Sequence, residues 1–169
     1  EVLPETQDVL SQEAAYVTVN LMQGVTTAGS GARLRHAGLE ETNYIYKNVI
    51  TGYPYVFENP IAGKTGTTQN QSDGWFMGMV PNLATGVWVG GDDRSIHFKD
   101  IGFGQGATMA LPIWANYMRS LYDNPEFGIS KEDFIAPEEL SIPVDCEELA
   151  DIKSKENAKP KADLKSLGF

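Results

Sequence analysis

The segment Ala62-Gly63-Lys64-Thr65-Gly66-Thr67 places an amine, two hydroxyls and two glycines within six consecutive residues. Lys64 can supply a positive charge, and the hydroxyls of Thr65 and Thr67 can donate hydrogen bonds to a carboxylate. Gly66 has no Cβ, so a peptide can lie close to this segment and pair with its backbone as a neighbouring strand. These residue types predict a clamp for an anionic peptide end.

A Gly-Lys-Thr tripeptide also occurs in the phosphate-binding loops of nucleotide-binding proteins. That motif needs a glycine five residues before the Gly-Lys pair, and this chain has Glu58 there, whose carboxylate would repel phosphate. It must also lead into a helix whose N-terminus faces the phosphate, whereas the polar loop at 69–73 leads into a strand-like run. Nucleotide binding is therefore the least favoured interpretation.

Composition excludes several other classes of function. The 169 residues carry 13 Lys and Arg against 23 Asp and Glu, and the formal net charge of −10 repels nucleic acid and anionic lipids. No apolar run approaches the length of about 18 residues that spans a bilayer. Cys146 is a lone cysteine, and with His36 and His97 it cannot complete a four-ligand zinc site. We therefore predict no metal, cofactor, nucleic acid or membrane contact for this chain.

A sheet and two helices are predicted to position the Lys64 segment. Strand-like runs at 61–67, 74–80 and 84–89 are joined by short polar turns, which favours antiparallel pairing. Helical patterns at 11–26 and 108–122 carry apolar stripes that we expect to pack on this sheet. The predicted fold class is α+β.

Several large side chains have ordinary structural interpretations. The central strand is apolar on both faces, so we expect it to be covered on both. Trp75, Trp88 and Trp114 are expected in the core, where aromatic residues of strands and helix stripes usually pack. Arg33 and Arg35 are expected on a solvated face.

The chain is predicted to divide into a folded part at 1–125, an extended segment at 126–144 and a disordered charged tail at 145–169. The last range holds six acids and five lysines with few large apolar residues. Such a composition cannot bury enough apolar surface to form a core of its own.

Further segments keep a characteristic order around the Lys64 motif, at residues 23–27, 29–33, 73–78, 85–90 and 110–114. Together with 62–68 they resemble the C-terminal part of the transpeptidase domain of class A, 1A-like penicillin-binding proteins. The resemblance covers about residues 9–122 and implies part of the penicillin-binding-protein/β-lactamase-like fold, with an antiparallel sheet packed with helices.

What the resemblance implies is acyl transfer during peptidoglycan cross-linking in cell-wall synthesis. A serine attacks the penultimate D-Ala carbonyl of a stem peptide, the terminal D-Ala leaves, and an amine of a neighbouring strand takes the acyl group. Lys64 would set the electrostatic field at the site and influence proton transfer, while Thr65 and Thr67 would hold the terminal carboxylate beside Gly66. The N–H of Thr67 would be one oxyanion donor, and β-lactams would mimic the D-Ala-D-Ala end.

The chain departs from this family in one respect that matters for catalysis. It contains neither Ser-x-x-Lys nor Ser-x-Asn, the other motifs of these enzymes; Ser30, for example, is followed three places on by Arg33. We expect both motifs upstream of Glu1, in the missing N-terminal part of the same protein, with a membrane anchor that places it at the extracytoplasmic face of the inner membrane. This chain alone is predicted to be inactive.

One alternative uses the same residues without catalysis. A peptide-binding module could use the strand at Thr65 to Thr67 as a clamp for a carboxylate end. An upstream Ser-x-x-Lys motif would favour the enzyme, and an unrelated upstream sequence would favour the binding module.

Overall fold

The computed structural model describes residues 9–35, 50 and 52–158, which form two compact units within 1–136 and 137–169. His36 and the end of the predicted tail lie outside the described residues. None of the helices in the described ranges combines the length and the apolar composition that a bilayer span needs. The elements of the first unit are α1 (Gln12–Thr27), β1 (Ala62–Thr67), β2 (Asp73–Val80), β3 (Leu83–Gly90), α2 (Ile101–Gly104), α3 (Gly106–Met109) and α4 (Leu111–Tyr122).

The first helix begins where its capping residue predicts. The Ser11 hydroxyl accepts a hydrogen bond from the Ala14 N–H at 3.2 Å, which satisfies one of the donors left unpaired at a helix start. At the other end, the Thr26 hydroxyl donates to the Ile61 carbonyl at 2.5 Å. The end of α1 is thereby fixed beside the residue that leads into β1.

The three strands form the predicted antiparallel meander in the order β1-β2-β3. Two residues, Pro81 and Asn82, link Val80 to its partner Leu83 across the second hairpin. The first hairpin has a longer link through a 3₁₀ turn at Gln69–Gln71. The Lys64 segment is followed by this short 3₁₀ turn and then by β2, and not by the α-helix that a phosphate-binding loop needs.

One face of the sheet packs on α4, and this contact forms the core. Trp114 is fully buried, and its ring lies 5.1 Å from that of Phe76, centroid to centroid. A Cβ on Gly78 would come within 2.4 Å of the Trp114 ring, so the glycine in β2 lets the indole lie flat on the strand. The Trp114 indole N–H donates to the Thr85 hydroxyl at 2.8 Å. The predicted α+β class and the core position of Trp114 are confirmed.

The opposite face carries an exposed apolar patch, which we call the Trp75 patch. It consists of Trp75, Met77 and Trp88, exposed by 44%, 43% and 47%. The prediction that β2 is covered on both faces, with Trp75 and Trp88 in the core, is therefore wrong. Apolar composition shows that a strand tolerates cover on both faces, but it does not show whether a cover is present.

The second unit contains a helix, α5 (Cys146–Ala158), inside the range predicted to be a disordered tail. The Asp145 carboxylate accepts hydrogen bonds from the N–H groups of Glu147 and Glu148 at 2.7 and 3.2 Å. This cap satisfies two of the N–H groups left unpaired at a helix start and so stabilises the helix locally. The division at 125 and 144 stays a prediction.

Candidate functional site

The Lys64 segment lies on β1, and the register of this strand shows which of its backbone groups are available to a ligand. In an antiparallel pair, residues that bond to the neighbouring strand alternate with residues whose N–H and C=O point away from it. The N–H of Thr68 donates to the Asp73 carbonyl at 3.1 Å, which sets the phase of this alternation. The backbone groups of Thr65 and Thr67 therefore point away from β2.

This outer side of β1 at Thr65 and Thr67 is called the β1 edge below. Within the described part of the chain, β1 has a strand neighbour on the β2 side only. The β1 edge thus offers N–H and C=O groups with the spacing of a strand to an incoming extended peptide.

Lys64 lies on the opposite face of β1 from the two threonine side chains. It pairs with the exposed Met77, whereas Thr65 pairs with the buried Phe76. The exposed Lys64 side chain nevertheless turns along the strand, and its Nζ donates to the Thr65 carbonyl at 2.7 Å. The ammonium and the hydroxyls therefore approach the β1 edge from its two faces.

The Thr65 hydroxyl lies 2.6 Å from the hydroxyl of Ser30, a residue of the loop that follows α1. One of the two oxygens must donate, and the other hydroxyl hydrogen can then be given to a third group. The structure therefore adds Ser30 to the predicted set of site residues. Ser30 was rejected as a nucleophile and placed in the segment 29–33, but its contact with Thr65 was not predicted, because nothing local connects it to a strand 35 positions away.

The Thr67 hydroxyl accepts a hydrogen bond from the N–H of Gly106 at 3.0 Å. Gly106 is the first residue of α3 and lies directly on the sheet, because a Cβ there would be 2.2 Å from the Gly66 carbonyl oxygen. Gly66 also has little room, since its own Cβ would meet the Cβ of Trp75 at 3.1 Å. The site thus depends on two glycines that allow close approach of backbone to backbone.

Both arginines predicted on a solvated face bind backbone carbonyls instead, so this prediction is wrong. Arg33 is only 5% exposed and donates to the Ala107 carbonyl at 2.5 Å and to the Thr108 hydroxyl at 3.1 Å. Arg35 donates to the carbonyls of Phe57 and Asn59 and to the Thr26 hydroxyl. A guanidinium carries five donors in a plane, which suits it to join loops whose carbonyls have no ladder partner.

The turn that follows the Lys64 segment is held by Asp73. Its carboxylate accepts hydrogen bonds from the Thr68 and Ser72 hydroxyls and from the Trp88 indole N–H, each at 3.1 Å. Burial raises the pKa of Asp73, but these hydrogen bonds and the charge of Arg94 together lower the pKa below its ordinary value. The charged carboxylate therefore stabilises the hairpin that carries β1.

Acid is expected to loosen this hairpin. The pKa of Asp73 is lower in the folded state than in the unfolded state, where it is about 4. The contribution of Asp73 to the free energy of unfolding is therefore complete above the unfolded pKa and is lost as the pH falls through the folded pKa. Thermal unfolding of Asp73→Asn should show a lower midpoint at pH 7 and a weaker fall in midpoint towards pH 3. If the unfolding midpoint of the variant falls with pH as steeply as that of the wild type, Asp73 is not the cause of the acid sensitivity.

In the described ranges, no group of three or more His, Cys, Asp and Glu side chains lies together. The chemistry available is that of an ammonium, several hydroxyls and backbone N–H groups. These groups can bind a carboxylate and stabilise a developing oxyanion.

Comparison with known proteins finds relatives for most of the chain. Penicillin-binding protein 1A of Aquifex aeolicus is 31% identical over 138 residues, which are 80% of this chain and 16% of that protein. Penicillin-binding protein 1A of Neisseria lactamica is 32% identical over 121 residues, 70% of this chain and 12% of the relative. Penicillin-binding protein 1A of Pseudomonas aeruginosa is 34% identical over 119 residues, which are 69% of this chain and 12% of that protein. No protein-family model matches the chain.

Proposed function

Because the chain belongs to the class A penicillin-binding proteins and spans only 12–16% of the length of the relatives it matches, we propose that it supplies one side of a D,D-transpeptidase site. That enzyme would cross-link the stem peptides of peptidoglycan. The observation that carries the proposal is the β1 edge, where backbone groups point outward between an ammonium and two hydroxyls held by neighbouring residues. A peptide that ends in D-Ala-D-Ala has the matching groups, an extended backbone and a terminal carboxylate.

In this proposal the terminal carboxylate accepts hydrogen bonds from the hydroxyls of Thr65 and Thr67. The substrate backbone pairs with the β1 edge, which aligns the penultimate carbonyl. A serine outside this chain attacks that carbonyl carbon, and the negative charge on its oxygen is stabilised by the outward N–H of Thr67. The bond to the terminal D-Ala breaks, and the acyl group passes to an amine of a second stem peptide.

Lys64 would act through its charge. Its ammonium now donates to the Thr65 carbonyl, an acceptor that an incoming peptide N–H would also use. Pairing of the substrate with the strand would release the ammonium towards the reacting serine, where a positive charge favours the oxyanion and assists proton transfer.

The remaining part of the enzyme would cover the Trp75 patch. Exposed apolar surface of this kind usually marks a contact with another polypeptide, and Lys64 lies on the same face of the sheet. The serine-bearing part would then reach Lys64 from that side. We place such an enzyme in the cell envelope, at the extracytoplasmic face of the inner membrane.

A fluorescent penicillin tests this function. The full-length protein that contains this chain should be labelled covalently, and the label should be displaced by an unlabelled β-lactam. The isolated chain should stay unlabelled, because no serine in it has a lysine three places on.

Two outcomes would contradict the proposal. A full-length protein that binds a D-Ala-D-Ala peptide reversibly but is never acylated would be the non-catalytic peptide-binding module. Covalent labelling of the isolated chain would mean that the nucleophile lies within it.

A further inference from the structure

We infer that Arg33 is a positioning residue for Thr67, and that it acts through helix α3. Arg33 holds α3 against β1, so that the Gly106 N–H keeps the Thr67 hydroxyl in the orientation that binds a carboxylate. The inference rests on the proposed function, since it concerns how the same site recognises the terminal carboxylate of its substrate.

The connection runs through two hydrogen bonds at consecutive residues of α3. Arg33 donates to the carbonyl of Ala107, and Gly106, the preceding residue, donates to the hydroxyl oxygen of Thr67. Arg33 also donates to the Thr108 hydroxyl, so two hydrogen bonds join it to α3. The guanidinium and the Thr67 hydroxyl therefore bind the same helical turn from different directions.

The hydrogen bond from Gly106 determines what the Thr67 hydroxyl can do. A hydroxyl has one hydrogen to donate and two lone pairs to accept with. Because the Gly106 N–H occupies one lone pair, the hydroxyl hydrogen must lie in one of the two remaining directions around the oxygen, where it can be donated to another acceptor. At the β1 edge that acceptor would be a carboxylate of the ligand, and the N–H also makes the hydroxyl a better donor.

The start of α3 depends on contacts outside the helix. α3 is a single turn that leads into α4, and its C-terminal end is held there because Ala110 has helical backbone angles and donates to the Gly106 carbonyl at 2.9 Å. The first residues of α3 have no preceding helical turn to hold them. On the sheet side, Gly106 touches the backbone of Gly66 and Trp75 so closely that a Cβ would lie 2.2 Å and 2.4 Å from their carbonyl oxygens. The buried Arg33 supplies donors to the following two residues.

The test measures acylation of the full-length protein by two forms of one β-lactam, the free acid and its methyl ester. Only the acid has the carboxylate that Thr67 would bind. We therefore expect Thr67→Val to lower the ratio of acid to ester acylation rates by about tenfold, as for loss of one hydrogen bond to a charged group. Arg33→Met should lower the same ratio by a similar factor.

A double variant shows whether the two residues act together. If Arg33 works through the Thr67 hydroxyl, Arg33→Met should cause no further loss of the ratio in the Thr67→Val background. Should Arg33→Met fail to fold, Arg33→Lys, which keeps the charge and fewer donors, should lower the ratio by a smaller factor.

Arg35→Lys is the matched control, because Arg35 belongs to the same loop but binds carbonyls far along the chain from α3. It should lower the unfolding midpoint and leave the acid-to-ester ratio unchanged. Equal losses for acid and ester in the Arg33 variants, or additive losses in the double variant, would overturn the inference. A wild-type ratio unaffected by Thr67→Val would instead contradict the proposed carboxylate site itself.

Discussion

Replacement of Thr67 by proline is expected to slow β-lactam acylation of the full-length protein by about 10²- to 10³-fold, which is the effect of removing one oxyanion donor. The backbone N–H of Thr67 points away from β2 and towards the site, as the bond from Thr68 to Asp73 establishes. Proline has no N–H and removes this donor directly.

Proline is compatible with the strand at this position for two reasons. The lost N–H makes no bond to β2, and edge strands accept proline where the N–H faces outward. The preceding residue is Gly66, whose missing Cβ avoids the clash that proline normally makes with the residue before it. The unfolding midpoint should therefore fall only slightly.

Thr67→Val is the matched control, since it removes the hydroxyl and keeps the N–H. The difference between the proline and valine variants isolates the backbone donor, and it should appear with the methyl ester as well as with the acid. Equal acylation rates for the two variants would show that the Thr67 N–H does not stabilise the oxyanion.

Replacement of Lys64 by methionine is expected to lower the acylation rate by about 10²-fold or more, because the positive charge near the developing oxyanion is lost. The Lys64 side chain is exposed, and its ammonium donates to the adjacent Thr65 carbonyl. Exposed substitutions of this kind change the free energy of unfolding by about 0.5 kcal/mol or less. Lys64→Met should therefore lose acylation activity while its free energy of unfolding stays close to that of the wild type.

Lys99→Met provides the comparison for Lys64→Met, because it removes an exposed lysine from the loop between β3 and α2. It should leave acylation unchanged. If Lys64→Met acylates at the wild-type rate, the ammonium has no part in the reaction. If the protein binds ATP and Lys64→Met abolishes that binding, the nucleotide interpretation is correct instead.

The hairpins and the main helices were predictable because their determinants are local. Alternating apolar residues, short turns and the Ser11 cap act over a few residues, and they place α1 and the three strands within one or two positions of where they are found. Asp145 is a further local signal, because its side chain caps the start of α5, where composition alone indicated disorder.

The surroundings of the site were less accessible to sequence reasoning. Arg33 was assigned to a solvated face because arginine usually lies there, but its partners are 74 and 75 positions away. A clue was present in the sequence, since Arg33 stands in a glycine-rich loop between a helix and a strand, where carbonyls need donors. The burial of Trp75 and Trp88 was predicted wrongly for a related reason, because composition does not show which face of a sheet packs against another element.

The sequence by itself determined the type of chemistry at this site, since an ammonium, two hydroxyls and a glycine follow one another within Lys64 to Thr67. Tertiary structure alone decided that Gly106 of α3, itself bound next to the buried Arg33, holds the Thr67 hydroxyl, and that the Trp75 face lies open. The physical reason is distance along the chain: a strand's alternation is set by neighbouring residues, whereas the Gly106–Thr67 bond joins residues 39 positions apart and exists only once the sheet and helix have packed.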